Sequence, residues 1–493
     1  MAKQPNVLTI TCDELTAGVL SCYGGPVVAP NIDRLAREGA VLTNSICPLP
    51  ICGPTRVSMF NGLYPHAHGT LNNTSKIVFG PDDQALPKLL HDDGYDCHYY
   101  GLGRGKFADD LPYYPDMVRD NPPFSAQLAG LFTRLWEHTQ GVRFWQQGQA
   151  SQTGEENPLP ITVAPALRQA REDLGDKWKN EMYGHLLVNM GRLEIPLAKN
   201  HDVVVTEKII EGIDAAGEQP FMLNCNWLCP HDPHCIPSPY YEMYDPQDIA
   251  LPDNYDSLEG RFERDWARRV VTDLGEPAAR EFLRIYYGAV RLVDDQLGRI
   301  LDALDAKGLA EDTIILFNAD HGDMAGGHGM VTKITRAFYD ELVRVPLIVR
   351  YPRGIQPQRL DIAAGHIDIM PTLLEMAGMN VPGNLHGRSL APYLTGRADS
   401  AEAQKYCFCE WVEWASEIRD GKTRDFADTP RTFMVRGDGW KYCTYADGEQ
   451  FLYDLNADPG ETCNLAGLAE HADRVSELHS RIENWLAQTG YRR

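Results

Sequence analysis

The chain has 493 residues, 43% hydrophobic and 23% charged, the composition of a globular protein with room for a large core and more than one domain. It carries 46 Lys plus Arg against 69 Asp plus Glu, a formal charge of −23, which argues against a nucleic-acid surface as its main business. A small anionic substrate still fits, because a cationic pocket can sit inside an acidic shell.

The N-terminal segment MAKQPNVLTI holds one lysine and then enters a strand, NVLTIT from Asn6, with no apolar run of signal-peptide length. No transmembrane candidate follows, so the expected compartment is the cytoplasm and no membrane partner is expected. NIDRLAREGA from Asn31 has helical period. YDCHYYG from Tyr95, FMLNCNW from Phe221, TIILFNAD from Thr313 and VPLIVRY from Val345 read as strands. FLRIYYGAVRLVDDQLGRILDALDAKG from Phe282 reads as a long helix closed by glycine. Strands alternating with helices predict a mostly parallel sheet sandwiched by helices, with ligands at the carboxyl ends of the strands.

The stretch from about 107 to 200 breaks this rhythm with aromatic, proline and polar residues and reads as an insertion, a packed flap or a substrate-selecting wall. After about Leu390 come short aromatic strands, KYCFCEWVEW, TFMVRGDGWKYCTY and QFLYDL, and the amphipathic helix ADRVSELHSRIENWLAQTG. They predict a smaller α+β domain with an antiparallel sheet, over 391–493, behind a catalytic domain over 1–390. The 12 cysteines lack CxxC spacing and read as free thiols; Cys225, Cys229 and Cys235 lie close together and are the weakest of the ligand candidates.

The first strand ends in Cys12-Asp13-Glu14 and the strand from Thr313 in Asn318-Ala319-Asp320-His321-Gly322-Asp323. Alone, either pair is an ordinary cap or solvated turn. Together, carboxylates at two parallel strand ends can converge on one divalent cation, with a histidine completing the set. Arg56, His231 in CPHDPH and Lys333 in GMVTKITRAFYDE supply positive charge for a tetrahedral anion.

CGPTRVSMFNGLYPHAHG resembles the sulfatase signature, in which C-x-P-x-R marks the nucleophile. NADHGDMAGGHGM, LVRVPLIVRYP, HIDIMPTLLEMAG, HGRSL and LYDLNADPGETCNL are similar to the same family in order and spacing. The resemblance implies an alkaline-phosphatase-like fold and a formylglycine made from Cys52 by a separate formylglycine-generating enzyme, with the hydrated aldehyde as nucleophile. By the same match Asp13, Glu14, Asp320 and His321, with position 52, would hold one divalent metal. Lys333 and His231 would bind the anion and assist the leaving group, and Arg56 would hold the diol. Calcium is typical of the family, while a histidine ligand admits manganese or zinc.

The chain departs from the familiar sulfatase pattern twice. Asp320-His321 replaces Asp-Asn, as in the phosphonate monoester hydrolase and choline sulfatase branches. The Gly-Lys-x-His motif expected after Gly94-Tyr95 reads Gly101-Leu102-Gly103-Arg104. Arg104 or Lys106 can supply charge there, but arginine is a poor base, so the base that breaks down the hemiacetal stays unassigned. His66 and His68 are nearby candidates, with anchoring of the helix as the stronger reading. Asn72 or Asn73, preferably Asn73, would touch the substrate anion.

The resulting expectation is a hydrolase of aryl or small organic sulfate monoesters. Its rivals are a phosphonate monoester or phosphodiester hydrolase using the same site and an inactive binding protein on this scaffold. Analogy adds a dimer or tetramer.

Overall fold

The structure, a computed structural model, describes residues 4–73, 84–102, 161–175, 190–257, 274–334, 336–412 and 431–491. Fourteen strands are found among them. Seven form the main sheet: β1 (Asn6–Asp13), β2 (Ala40–Ile46), β3 (Asp96–Gly101), β6 (Phe221–Pro230), β8 (Thr313–Ala319), β9 (Leu347–Arg350) and β10 (Gln358–Gly365). A small sheet holds β4 (Ile161–Val163), β5 (Gly191–Leu193) and β7 (Cys235–Ile236). The last four, β11 (Tyr406–Val412), β12 (Arg431–Gly437), β13 (Trp440–Thr444) and β14 (Gln450–Asp454), pair in that order as an antiparallel meander.

The main sheet runs β10-β2-β9-β8-β1-β6-β3. Only β9 is antiparallel to its neighbours; the other pairings are parallel. The predicted parallel sandwich is therefore present. Two of its strands, AVLTNSI and QRLDIAAG, mix polar and apolar residues and escaped the reading of periodicity.

Period-two alternation divides the central strands between two cores. Leu8, Ile10, Ile315, Phe317, Leu223 and Trp227 face one side, where helices Pro30–Glu38, His201–Ala215 and Glu276–Lys307 cover them. The last of these stops at Gly308 in the left-handed region (φ 70), as the glycine signal required. Val7, Ile314, Leu316 and Met222 face the other side, under helices Cys52–Asn61, Leu86–Asp92 and Ile369–Met376. Thr9, Thr11 and Asp13, Asn224 and Asn226, and Asn318 continue that second register. The polar ends of three adjacent strands therefore point toward the helix that begins at Cys52.

The meander alternates likewise. Cys407, Cys409, Trp411, Met434 and Cys443 pack toward the main domain with Ile46, Leu49 and Leu342. Tyr406, Val435, Tyr442 and Leu452 take Leu478, Ile482 and Trp485 of the terminal helix Ala472–Gln488. The turn Ala391–Leu394, just past the expected boundary, still buries Leu394 with the main-domain helices. Of the expected insertion, residues 107–160 and 176–189 lie outside the described residues; the rest contributes β4, β5 and the helix Pro165–Leu174. No described helix is long and apolar enough to cross a membrane.

Candidate active site

The helix Cys52–Asn61 starts at Cys52 itself, after Ile51 in extended conformation, and all ten of its residues are buried. Pro54 sits in its first turn, where a missing N–H costs no helical hydrogen bond. The Gly53 N–H donates to Asn73 Oδ1 at 2.8 Å, so an asparagine from outside the helix satisfies one of its orphan donors. Arg56 lies one turn after Cys52 and points to the same side.

Arg56 is fully buried and ties three strand ends together. Its Nε donates to Asp320 Oδ2 at 2.9 Å, one terminal nitrogen to Asn226 Oδ1 at 2.8 Å and the other to Asp13 Oδ2 at 3.4 Å. Asn226 was not legible as a site residue, although an asparagine at alternate positions of an apolar strand was the available signal. Asp320 Oδ1 accepts the backbone N–H groups of His321 at 2.8 Å and Glu14 at 3.3 Å. Glu14 adopts the left-handed region (φ 66), uncommon for a residue with a side chain. Its carbonyl accepts the Tyr286 hydroxyl of the long helix at 2.6 Å, a support that the motifs did not reveal.

Cys52 Sγ lies 3.4 Å from Asp13 Oδ1 and 3.3 Å from His321 Nε2. Nδ1 of His321 is 2.9 Å from the Gly322 carbonyl, so the network assigns the proton to Nδ1 and aims Nε2 at the cluster. One ligand atom from each of Asp13, Cys52, Asp320 and His321 lies within 4.8 Å of the others, and all four residues are buried. Glu14, His231 and Asp232 form a second such group beside it. Neither group includes Cys225, Cys229 or Cys235.

In the second group Lys333 Nζ donates to Glu14 Oε1 and lies 2.8 Å from His231 Nε2. His231 Nδ1 lies 2.9 Å from Asp232 Oδ1. Glu14 thus turns one oxygen to Lys333, while its other oxygen, Oε2, is buried with no hydrogen-bond partner. A buried carboxylate oxygen without a partner, in a group with Asp232 and His231, fits a divalent cation.

The electrostatics agree with that fit. Burial opposes charge on Asp13, but His231, Arg56 and His321 outweigh it and hold the carboxyl well below the usual range. Burial also disfavours protonated His321, yet Asp320 and Cys52 raise it to about 10, a sign of surplus negative charge at Nε2. For Cys52, burial and Asp13 act against the thiolate, and Lys333 and His321 still bring the thiol down to about 7.

Other expected residues lie elsewhere. His66 Nδ1 lies 3.0 Å from Glu410 Oε1 and Nε2 lies 2.9 Å from Thr489 Oγ1. His68 Nε2 lies 3.0 Å from Ser58 Oγ, and Nδ1 accepts the Thr70 N–H at 3.1 Å. His68 thus ties to the helix Cys52–Asn61 through Ser58, and His66 to the C-terminal subdomain. Asn73 stays beside the site, its Oδ1 accepting the Gly53 N–H next to Cys52. Arg104 and Lys106 lie outside the described residues.

Comparison with known proteins extends beyond the motifs. The family model described as Sulfatase matches residues 5–379, and one described as N-sulphoglucosamine sulphohydrolase, C-terminal, matches 326–488. The N-acetylglucosamine-6-O-sulfatase of Bacteroides thetaiotaomicron is 26% identical, across 99% of this chain and 87% of its own length. The multifunctional alkaline phosphatase superfamily protein PehA of Trinickia caryophylli is 27% identical, across 92% of this chain and 89% of its own. In fold, the phosphonate monoester hydrolase of Silicibacter pomeroyi matches with a TM-score of 0.74 at 22% identity, across 99% of this chain and 96% of that one.

Proposed function

Because the chain belongs to the sulfatase family, we propose that it hydrolyses aryl or other small organic sulfate monoesters, with formylglycine derived from Cys52 as nucleophile. One observation carries this reading: Cys52 lies at the start of a buried helix, within 4.8 Å of ligand atoms from Asp13, Asp320 and His321. A binding scaffold has little use for that arrangement.

Asp13, Asp320, His321 and position 52, with Glu14 Oε2 alongside, would hold calcium or manganese; when bound, the ion acidifies the nucleophilic hydroxyl and offsets charge on the ester. Arg56 keeps both aspartates oriented. The N-terminus of the Cys52–Asn61 helix directs its positive end toward the attacked anion. Lys333 supplies a fixed positive charge: burial opposes it, but Glu14 and Cys52 raise its affinity for the proton. His231, oriented through Asp232, sets Nε2 beside Lys333 Nζ at 2.8 Å, and the pair delivers the proton to the departing alkoxide. Cys52 and Arg56 are fully buried, so the oxidising enzyme acts before folding closes the site.

A second reading is phosphonate monoester hydrolysis by the same groups. The Asp320-His321 pair and the Leu102-Gly103-Arg104 sequence favour it. Mass spectrometry of the peptide containing Cys52 from the native host tests the mechanism, which fails if only thiol is found. Specificity constants for an aryl sulfate and the matching aryl phosphonate test the substrate class, and a strong phosphonate preference reverses the order of the two readings.

A further inference from the structure

We infer that Asp202 is the positioning residue that sets His231 in the active site. This rests on the reading of His231 as a group that contacts the ester. Asp202 stands in the first turn of the helix His201–Ala215, one layer away from the site, and is 1% exposed.

The reason lies in the register of the sheet. β1 and β6 pair in step from Val7–Met222 to Cys12–Trp227, and the next pair is Asp13–Pro230. Leu228 and Cys229 are therefore bulged out, and pairing with β3 on the other side has already ended at Gly101–Asn226. A bulge of this kind re-aims the chain but leaves its backbone donors without ladder partners in a partly buried place. The Asp202 carboxylate takes both: Oδ1 accepts the Leu228 N–H at 2.7 Å and Oδ2 the Cys229 N–H at 2.9 Å.

The bulge then closes, with the His231 N–H donating to the Leu228 carbonyl at 3.0 Å. This leaves His231 Nε2 3.9 Å from both Asp13 Oδ1 and Glu14 Oε1 and 2.8 Å from Lys333 Nζ. Asp202 is itself held rigidly. Asn200 Oδ1 accepts its N–H at 2.9 Å, His201 Nδ1 lies 2.7 Å from Oδ1, and the Thr206 hydroxyl, which accepts Trp227 Nε1 at 3.1 Å, donates to its carbonyl at 2.7 Å. A carboxylate has an acceptor for each bulge N–H. An asparagine amide has one, and its NH2 group would face the other N–H.

The test is a double-mutant cycle of Asp202→Asn and His231→Ala, read on sulfate esters whose leaving groups differ in basicity, with melting temperature recorded for each variant. Misplacing a donor by about 1 Å costs roughly 10²-fold. Asp202→Asn is expected to slow esters of basic alcohols by about that factor and esters of acidic phenols several-fold less, and to add nothing in the His231→Ala background. Uniform loss across leaving groups, or additive effects of the two substitutions, overturns the inference while leaving the sulfatase reading intact.

If Asp202→Asn does not fold, Asp202→Glu keeps the charge and displaces the acceptor by one methylene, with the same expected pattern. If the wild type turns over neither ester class, the reading of function fails. The positional inference is then decided by the crystal structure of the variant: His231 Nε2 is expected out of hydrogen-bond reach of Lys333, and an unmoved His231 overturns it.

Discussion

The site around Cys52 and the junction around Lys441 both bury ionised groups, yet they are finished differently. At the junction, Lys441 is fully buried with Nζ 2.6 Å from Asp340 Oδ1, 2.6 Å from Glu461 Oε1 and 2.8 Å from the Phe338 carbonyl. Arg436 adds a two-pronged contact to Asp340, at 3.0 and 2.7 Å. At the site, Glu14 Oε2 and Asp323 Oδ2 are buried without partners, and His321 Nε2 faces two carboxylates and a thiol. Charges that answer one another hold the C-terminal sheet on the main domain. Charges left incomplete around Cys52 are what the proposed cation would answer.

That contrast breaks most sharply at Cys52. Cys52→Ala is expected to cut ester turnover by roughly 10⁵-fold or more with little change in melting temperature; retention of a tenth of the activity would show that position 52 is not the nucleophile. Next comes the cation. Dialysis against a chelator should lower turnover by about 10³-fold and be reversed by one divalent ion, as a Lewis acid worth several kcal/mol requires. Activity that survives complete metal removal, checked by elemental analysis, contradicts the proposed ligand set.

The junction should respond in stability instead. Lys441→Met leaves Glu461 without its cation and Asp340 with Arg436 alone, and is expected to cost about 3–5 kcal/mol in denaturant unfolding, with turnover per folded molecule within about threefold of wild type. A large activity loss at full stability would place Lys441 in the chemistry. Glu410→Gln, which weakens the fully buried links to His66 and Arg431, should cost about 1–3 kcal/mol by the same measurement. The smallest effect belongs to the surface. Glu477→Gln in the terminal helix, partner of Arg481 at 2.9 Å and about two-fifths exposed, should change stability by about 0.3–0.5 kcal/mol and activity not at all.

Much of this was legible in the chain. Short polar endings on apolar strands placed Asp13, Asp320 and His321 at carboxyl ends. The run from Cys52 to Gly69 carried the sulfatase resemblance, and the folded chain brings Cys52, Arg56, Asp13, Asp320 and His321 together. Less legible were groups whose role depends on a neighbour far along the chain. Asn226 reads as a polar residue in a strand until Arg56 is placed above it. Asn73 reads as a substrate contact alone, and only the folded chain shows its oxygen holding the Gly53 N–H as well. Tyr286 and Asp202 look like ordinary helix residues, because the strained Glu14 turn and the β6 bulge they satisfy exist only after the sheet has formed.

The sequence by itself determined the alternation of strands and helices, the sulfatase motifs and, through period-two patterning, which residues of each strand share a face. Only the tertiary structure decided that β1 lies between β8 and β6, so that three polar strand ends meet under one helix. It also decided that Glu14 turns one oxygen to Lys333 and leaves the other unpaired. The physical reason is that a side chain's face is set by local backbone geometry, whereas strand order, bulges and buried pairings are set by packing between segments hundreds of residues apart.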